Sequence, residues 1–174
     1  DIKEDDFNMN VNDLKKKITK KTKAIIVVHL YGNPADIVEI SSLAKKNKIY
    51  LIEDCSQAHG AEYKKKKVGT FGNFSCFSFY PTKNLSTFGD AGIVCTNNRS
   101  MFKKIKFFRE YGWIKKNVGV SEGYNKRLDE LHAGILNVKL DKLNAFNNKR
   151  ILIANNFIKL IKSKKILLPK KNMV

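Results

Sequence analysis

"TKAIIVVHLYGNPADIVEISSLAKKNKIYLIEDCSQAHGA", residues 22–61, decides the fold. Residues 23–30, "KAIIVVHL", form a short β-branched run without polar alternation. That pattern predicts a strand buried on both faces. "YGNPAD" then supplies turn chemistry. Residues 36–48 carry Ile37, Ile40, Leu43 and Ala44 at helical spacing, one apolar stripe on a helix. "IYLIEDCSQAHGA" is a second buried strand that ends in polar residues. Strand, helix and strand within this span make a βαβ unit, whose two strands run parallel.

Beyond it the character changes. "EYKK" and "KVGT" read as short strands flanking a lysine turn at residues 64–67, followed by strands in "FSCFSFY" and "AGIVCTN". "SMFKKIKFFREYG" is helical through Met101, Phe102, Ile105 and Phe108, and "WIKKNVGVSEGYNKR" reads as a loop. The spacing of Leu131, Ile135, Val138 and Leu143 predicts one long amphipathic helix running from Leu128 towards Ile161. The predicted class is α/β, with a mostly parallel (mixed) sheet flanked by helices.

Composition narrows the function classes. The 174 residues amount to about one domain, and 43% hydrophobic content is ordinary for a globular core. No apolar run approaches the ~20 residues that span a bilayer. The acidic, polar opening "DIKEDDFNMN" does not read as a secretory leader. Cys55, Cys76 and Cys95 lack metal-like spacing and are expected to be reduced core thiols in a cytoplasmic protein. The net charge of +18 would suit nucleic acid. Its lysines, however, lie in short runs on separate segments, with no aromatic pattern suited to base stacking, which argues for a solvated surface instead. A diffuse positive field also attracts a small anionic substrate.

In sheets of this kind ligands sit beyond the carboxyl ends of the strands. One such end presents Glu53, Asp54, Ser56, Gln57 and His59; another presents Ser78, Tyr80, Thr82 and Lys83. An acid and a lysine on neighbouring strand ends suit a structural ion pair, a metal or phosphate site, or a pyridoxal phosphate site, where lysine bonds the aldehyde and an acid pairs with the ring nitrogen. His59 reads as a backbone-satisfied structural histidine. His29 stands open between core and cofactor edge. Gly89, Asp90 and Gly92 read as the turn that carries the backbone past Lys83.

"TKAIIVVHLYGNPADI", "LIEDCSQAHGAEYKKKKVGTFGNFSCFSFYPTKNLSTFGDAG" and "EGYNKRLDELHAGIL" resemble three consecutive signatures of the DegT/DnrJ/EryC1/StrS family of pyridoxal-phosphate-dependent sugar aminotransferases, of the aspartate aminotransferase fold. The resemblance implies that Lys83 is the Schiff-base lysine and proton shuttle, and that Asp54 keeps the pyridine nitrogen protonated. It places Gln57 at the cofactor's phenolic oxygen or ring and Ser78 at its phosphate. Asn125 would reach a neighbouring subunit's phosphate across a homodimer interface, a function that Arg127 fills in some members. In the family's dehydratases a histidine stands at the lysine position, so Lys83 favours transamination. The implied substrates are glutamate and a nucleotide-linked keto-sugar; "REYGW" and "NKRLDELHAGIL" most resemble members acting on dTDP-linked 3-keto-6-deoxy sugars.

The family's chains are more than twice this length. The resemblance therefore implies that residues 1–145 are part of a cofactor-binding large domain, and 146–174 a helix leading into a truncated small domain. The family's phosphate loop and ring-stacking aromatic precede this segment, so the chain alone is expected to bind the cofactor weakly. An inactive or accessory fragment that keeps only the core fold is the alternative expectation.

Overall fold

The computed structural model describes residues 1–170, so the last four positions of the 146–174 segment lie outside the described residues. The expected unit is present: β1 (Ala24–Val28), α2 (Ile37–Lys46) and β2 (Tyr50–Asp54). The two strands pair parallel and in register, with Val28 opposite Asp54. β5 (Phe74–Ser78) continues the parallel sheet, with Asp54 opposite Cys76. β6 (Gly92–Cys95) closes it antiparallel, giving the order β1-β2-β5-β6. Ile37, Ile40 and Ala44 of α2 pack on Ile25, Val27 and Leu51. Full burial of such aliphatic side chains is worth roughly 1.5–3 kcal/mol each.

The sheet departs from expectation on its second face. Ile25 and Val27 of β1 are 4% and 0% exposed, but the alternate residues Ile26 and Val28 are 59% and 38% exposed. α2 covers the face of Ile25 and Val27, whereas Ile26 and Val28 line an open cavity beside the N-terminal segment and the short α1 (Val11–Lys17). An uninterrupted apolar run cannot reveal this, because it is compatible with burial on either or both sides. α1 itself lies in a stretch whose sequence signal is a lysine run. Its helix is fixed by the Asn10 side chain, which accepts hydrogen bonds from the N–H groups of Asn12 and Asp13.

β3 (Glu62–Tyr63) and β4 (Lys66–Lys67) form the expected hairpin around the lysine turn. α3 (Arg99–Arg109) follows β6, capped by Asn98. The segment expected to be a loop contains a second hairpin, β7 (Trp113–Lys115) and β8 (Val118–Gly119). Asn117 takes the left-handed conformation in its turn (φ 64°), which asparagine tolerates better than most residues. Two glycines bring its ends together: a Cβ on Gly123 would stand 2.0 Å from the Gly112 nitrogen.

The expected single long helix is two, α4 (Glu130–Leu140) and α5 (Leu143–Leu160). At the junction the Lys142 N–H reaches the Lys139 carbonyl, one residue short of the α-helical partner, and this tighter turn breaks the ladder. Leu136 and Leu143 flank the break and are both buried against Phe79 and Leu85. They are seven residues apart, so a hydrophobic stripe persists through a break it cannot signal. The stripe's Leu131 and Val138 are 73% and 67% exposed.

Candidate active site

In-register neighbours in a sheet point to the same face. Val28, Asp54, Cys76 and Val94 therefore form one row across the open face, and Ser78, two residues past Cys76, stands on that face as well. The sheet thus brings Asp54 and Ser78 together at the carboxyl ends of adjacent parallel strands, beside the apolar Ile26 and Val28.

Each of these side chains is partly anchored and partly free. Asp54 Oδ1 accepts the Ser56 N–H at 3.0 Å, and Oδ2 has no hydrogen-bond partner among the described residues. Ser78 Oγ accepts the Tyr80 N–H at 3.3 Å, leaving its hydroxyl proton to donate elsewhere. Gln57 Oε1 accepts the Tyr31 N–H at 2.9 Å, so its amide group is left to donate. Tyr31 itself sits in the left-handed region (φ 58°), and the Gln57 bond helps hold it there.

Lys83 lies in the loop between β5 and β6. Its N–H donates to the Tyr80 carbonyl at 2.9 Å, and its ammonium forms no ion pair with a described residue. The loop around it is pinned: Phe79 and Leu85 enter the core with Leu136 and Leu143, and Lys139 Nζ of α4 donates to the Ser86 carbonyl at 2.8 Å. Gly89 lies in the loop and Gly92 opens β6, both at conventional φ. Gly92 is required for another reason, since a Cβ there would come within 2.9 Å of the Phe77 carbonyl.

Glu53, expected at the ligand edge, faces the opposite way. It is 0% exposed, because successive strand residues alternate faces. Its Oε1 accepts the N–H groups of Phe71 (2.7 Å) and Gly72 (2.6 Å); its Oε2 accepts that of Gly69 (2.6 Å) and contacts His29 Nε2 at 3.2 Å. Burial by itself would raise this carboxyl, but these hydrogen bonds overcome it and hold Glu53 below its ordinary value. His29 Nδ1 accepts the Ala35 N–H at 3.1 Å, which puts the ring proton on Nε2, facing Glu53. His29 therefore belongs to the core. His29, Glu53 and Cys55 bring their donor atoms within 4.8 Å of one another, yet both His29 nitrogens and both Glu53 oxygens are already engaged, so the cluster is a lock on residues 69–72.

His59 is 4% exposed, and its ring packs on Phe77 and Phe79 with centroids 5.4 and 5.6 Å away. Its Nδ1 meets Asn84 Oδ1 at 2.8 Å, while Nε2 makes no hydrogen bond among the described residues. Burial pushes its pKa down against the Asn84 hydrogen bond and the nearby Ser78 backbone, and the Lys83 charge adds to the lowering.

Asn125 is far along the chain, on an exposed loop. It bridges Glu110, and its Oδ1 accepts from Arg127 Nε at 3.1 Å. The Arg127 guanidinium lies 6.0 Å from the Tyr111 ring centre. The two candidates for one role are thus hydrogen-bonded to each other.

Residues 1–172 match the DegT/DnrJ/EryC1/StrS aminotransferase family along the whole span that carries these groups. The chain belongs to that family. A dTDP-3-amino-3,6-dideoxy-alpha-D-galactopyranose transaminase from Aneurinibacillus thermoaerophilus is 46% identical over 163 residues, 94% of this chain and 45% of that protein. The structure of DesV from Streptomyces venezuelae in complex with a ketimine intermediate superposes with a TM-score of 0.87 at 36% identity, over 91% of this chain and 43% of that one. The Escherichia coli GDP-4-keto-6-deoxy-D-mannose-3-dehydratase with bound hydrated PLP gives 0.84 at 28% identity, over 94% of this chain and 47% of that one. The chain thus spans less than half the length of these family members. Their chemistries differ, so the fold alone does not select between amino transfer and dehydration.

Sequence reasoning put Asp54 and Ser78 at the strand ends, misplaced Glu53, and missed Asn84 and Asn147, which grip His59. Asn84 adjoins Lys83 in "PTKN"; Asn147 lies 88 residues from His59 on a helix, with no local signal at all.

Proposed function

We propose that Asp54, Gln57, Ser78 and Lys83 are this chain's share of a pyridoxal phosphate site, and that the protein transfers an amino group from glutamate to a nucleotide-linked keto-sugar, a dTDP-3-keto-6-deoxyhexose being the favoured class. The observation that carries the reading is the shared open face of Asp54 and Ser78, with an unpaired lysine in the pinned loop directly after β5. The donor set fits the cofactor: one free carboxylate oxygen, one free hydroxyl proton, one free amide donor and one amine. Bound there, pyridoxal phosphate supplies an electron sink for the substrate carbon that loses its proton.

The chain's own residues do the rest. Asp54 Oδ2 holds a proton on the ring nitrogen by charge and hydrogen bonding, while the Ser56 N–H keeps the carboxylate oriented. Gln57, its oxygen held by Tyr31, donates its amide to the phenolic oxygen. Ser78 donates its hydroxyl to a phosphate oxygen. Lys83 would hold the aldehyde, and its amine is the group available to move a proton at the reacting carbon. Lysine at this position, rather than a group without a nucleophilic amine, favours amino transfer over dehydration. The nucleotide-sugar transaminases among its relatives support the acceptor class, and the +18 charge assists capture of a diphosphate. The exposed Asn125–Arg127 pair is assigned to a phosphate contact with a second copy of the chain in a homodimer. Residues 1–145 are assigned to the large domain and 146–174 to the start of a small one, and free thiols suit a cytoplasmic setting.

The test is borohydride reduction of the chain in excess pyridoxal phosphate, followed by peptide mapping. Label concentrated on Lys83, and lost in Lys83→Ala, is the expected result. Label spread evenly over the surface lysines would refute the cofactor site and leave a core without chemistry.

A further inference from the structure

We propose that His59, Asn84 and Asn147 form a clamp that positions Lys83, with all three acting as positioning residues rather than catalytic ones. The inference rests on the role given to Lys83 above. Asn84 is the residue after Lys83, and its side chain is saturated. Its Oδ1 accepts from His59 Nδ1 at 2.8 Å, and its Nδ2 donates to the His59 carbonyl at 3.0 Å and to Asn147 Oδ1 at 2.9 Å. Asn147 closes the ring by donating Nδ2 to the same His59 carbonyl at 2.9 Å. Since Asn84 Oδ1 only accepts, His59 carries a proton on Nδ1.

The clamp joins three parts of the chain. His59 belongs to the segment after β2 that also carries Asp54 and Gln57. Asn84 belongs to the Lys83 loop. Asn147 belongs to α5. With every polar atom of the Asn84 side chain engaged, the backbone at 83–84 cannot rotate without breaking several part-buried hydrogen bonds. The direction in which the Lys83 side chain leaves the backbone is thereby fixed relative to Asp54. The close approach is built for this: Gly60 takes φ +83°, and a Cβ there would stand 3.1 Å from Asn147 Nδ2. His59 is backed by Phe77 and Phe79, so it cannot retreat.

A merely structural network would lower stability and nothing else. The test therefore measures Lys83 itself in the full chain, by reductive methylation with formaldehyde and peptide mapping, with the exposed Lys64 as internal reference. Half-buried Lys83 is expected to label more slowly than Lys64. In His59→Leu and Asn147→Leu it should approach the Lys64 rate, while borohydride-trapped pyridoxal phosphate at Lys83 falls about tenfold, the equivalent of one buried hydrogen bond of about 1.4 kcal/mol. His59→Asn, whose amide places an N–H where Nδ1–H was, should restore both readings to within about twofold of the parent. Asn147→Asp keeps the acceptor for Asn84 but turns a charged oxygen on the His59 carbonyl, so it should likewise raise Lys83 labelling and carries the test if His59→Leu does not fold. A lowered melting temperature with an unchanged Lys83-to-Lys64 ratio would overturn the clamp. Absence of any pyridoxal phosphate preference for Lys83 in the parent would instead overturn the cofactor site, while the formaldehyde ratio still reports on the clamp.

Discussion

Glu53→Gln should destabilise the protein far more than a one-atom change suggests. The parent carboxylate occupies a fully buried position and serves four donors. In the variant the amide oxygen can serve Phe71 and Gly72 as Oε1 does now. The amide nitrogen then faces the Gly69 N–H and the His29 Nε2–H, donor against donor. His29 cannot change tautomer without abandoning Ala35. Two buried donors are left unsatisfied, at about 1–3 kcal/mol each, so the expected loss is about 4 kcal/mol. For a domain of this size that lowers the melting temperature by roughly 8–16 °C. Thermal unfolding followed by far-ultraviolet circular dichroism reads it. The pH dependence adds a second signature. The folded-state pKa of Glu53 lies below its ordinary value of 4.5, so its contribution is fully present above that value and disappears as pH falls through the lower folded-state value. The parent should lose stability over that acid window more steeply than Glu53→Gln. A loss below about 1 kcal/mol, or parallel acid profiles, would refute the assignment of Glu53 as the lock on residues 69–72.

Gly123→Ala drives a Cβ into the Gly112 nitrogen and should open the loop that carries Asn125; Trp113, the single tryptophan, stacks on Tyr111 at 4.8 Å, so its fluorescence should shift to the red, and an unchanged spectrum would contradict the crossing. Burial pushes the Cys55 thiol up, so Cys55 should resist iodoacetamide at pH 8 in the folded chain and react only on unfolding; prompt alkylation would contradict its burial. Leu136→Ala removes an apolar side chain wedged against Phe79 and Leu85 and should cost about 2–3 kcal/mol in urea denaturation; a value near zero would place that cluster outside the cooperative core.

The βαβ unit was legible because each of its parts has a local period: β-branched runs for β1 and β2, and the Ile37, Ile40, Ala44 stripe for α2. The polar residues closing β2 and β5 were legible for the same reason, and with them Asp54, Ser78 and Lys83. Which way each strand-end residue points was less so. Alternation separates Glu53 from Asp54, but a run apolar throughout gives no sign of which parity faces α2, and Glu53 in fact turned inward to serve backbone donors. The break at 141–142 and the β7–β8 hairpin were hidden because hydrogen-bond geometry, not hydrophobic period, decides them.

The sequence by itself determined the class of the fold and the chemical identity of the groups at its ligand edge, since both follow from residue type and short-range spacing. Only the tertiary structure decided that one sheet face stays open, that Glu53 and His29 form a core lock, and that Asn147 reaches back 88 residues to grip His59. Those outcomes depend on which buried donor meets which acceptor. That pairing is fixed only when distant segments pack, because each leaves water only if the other is there to replace it.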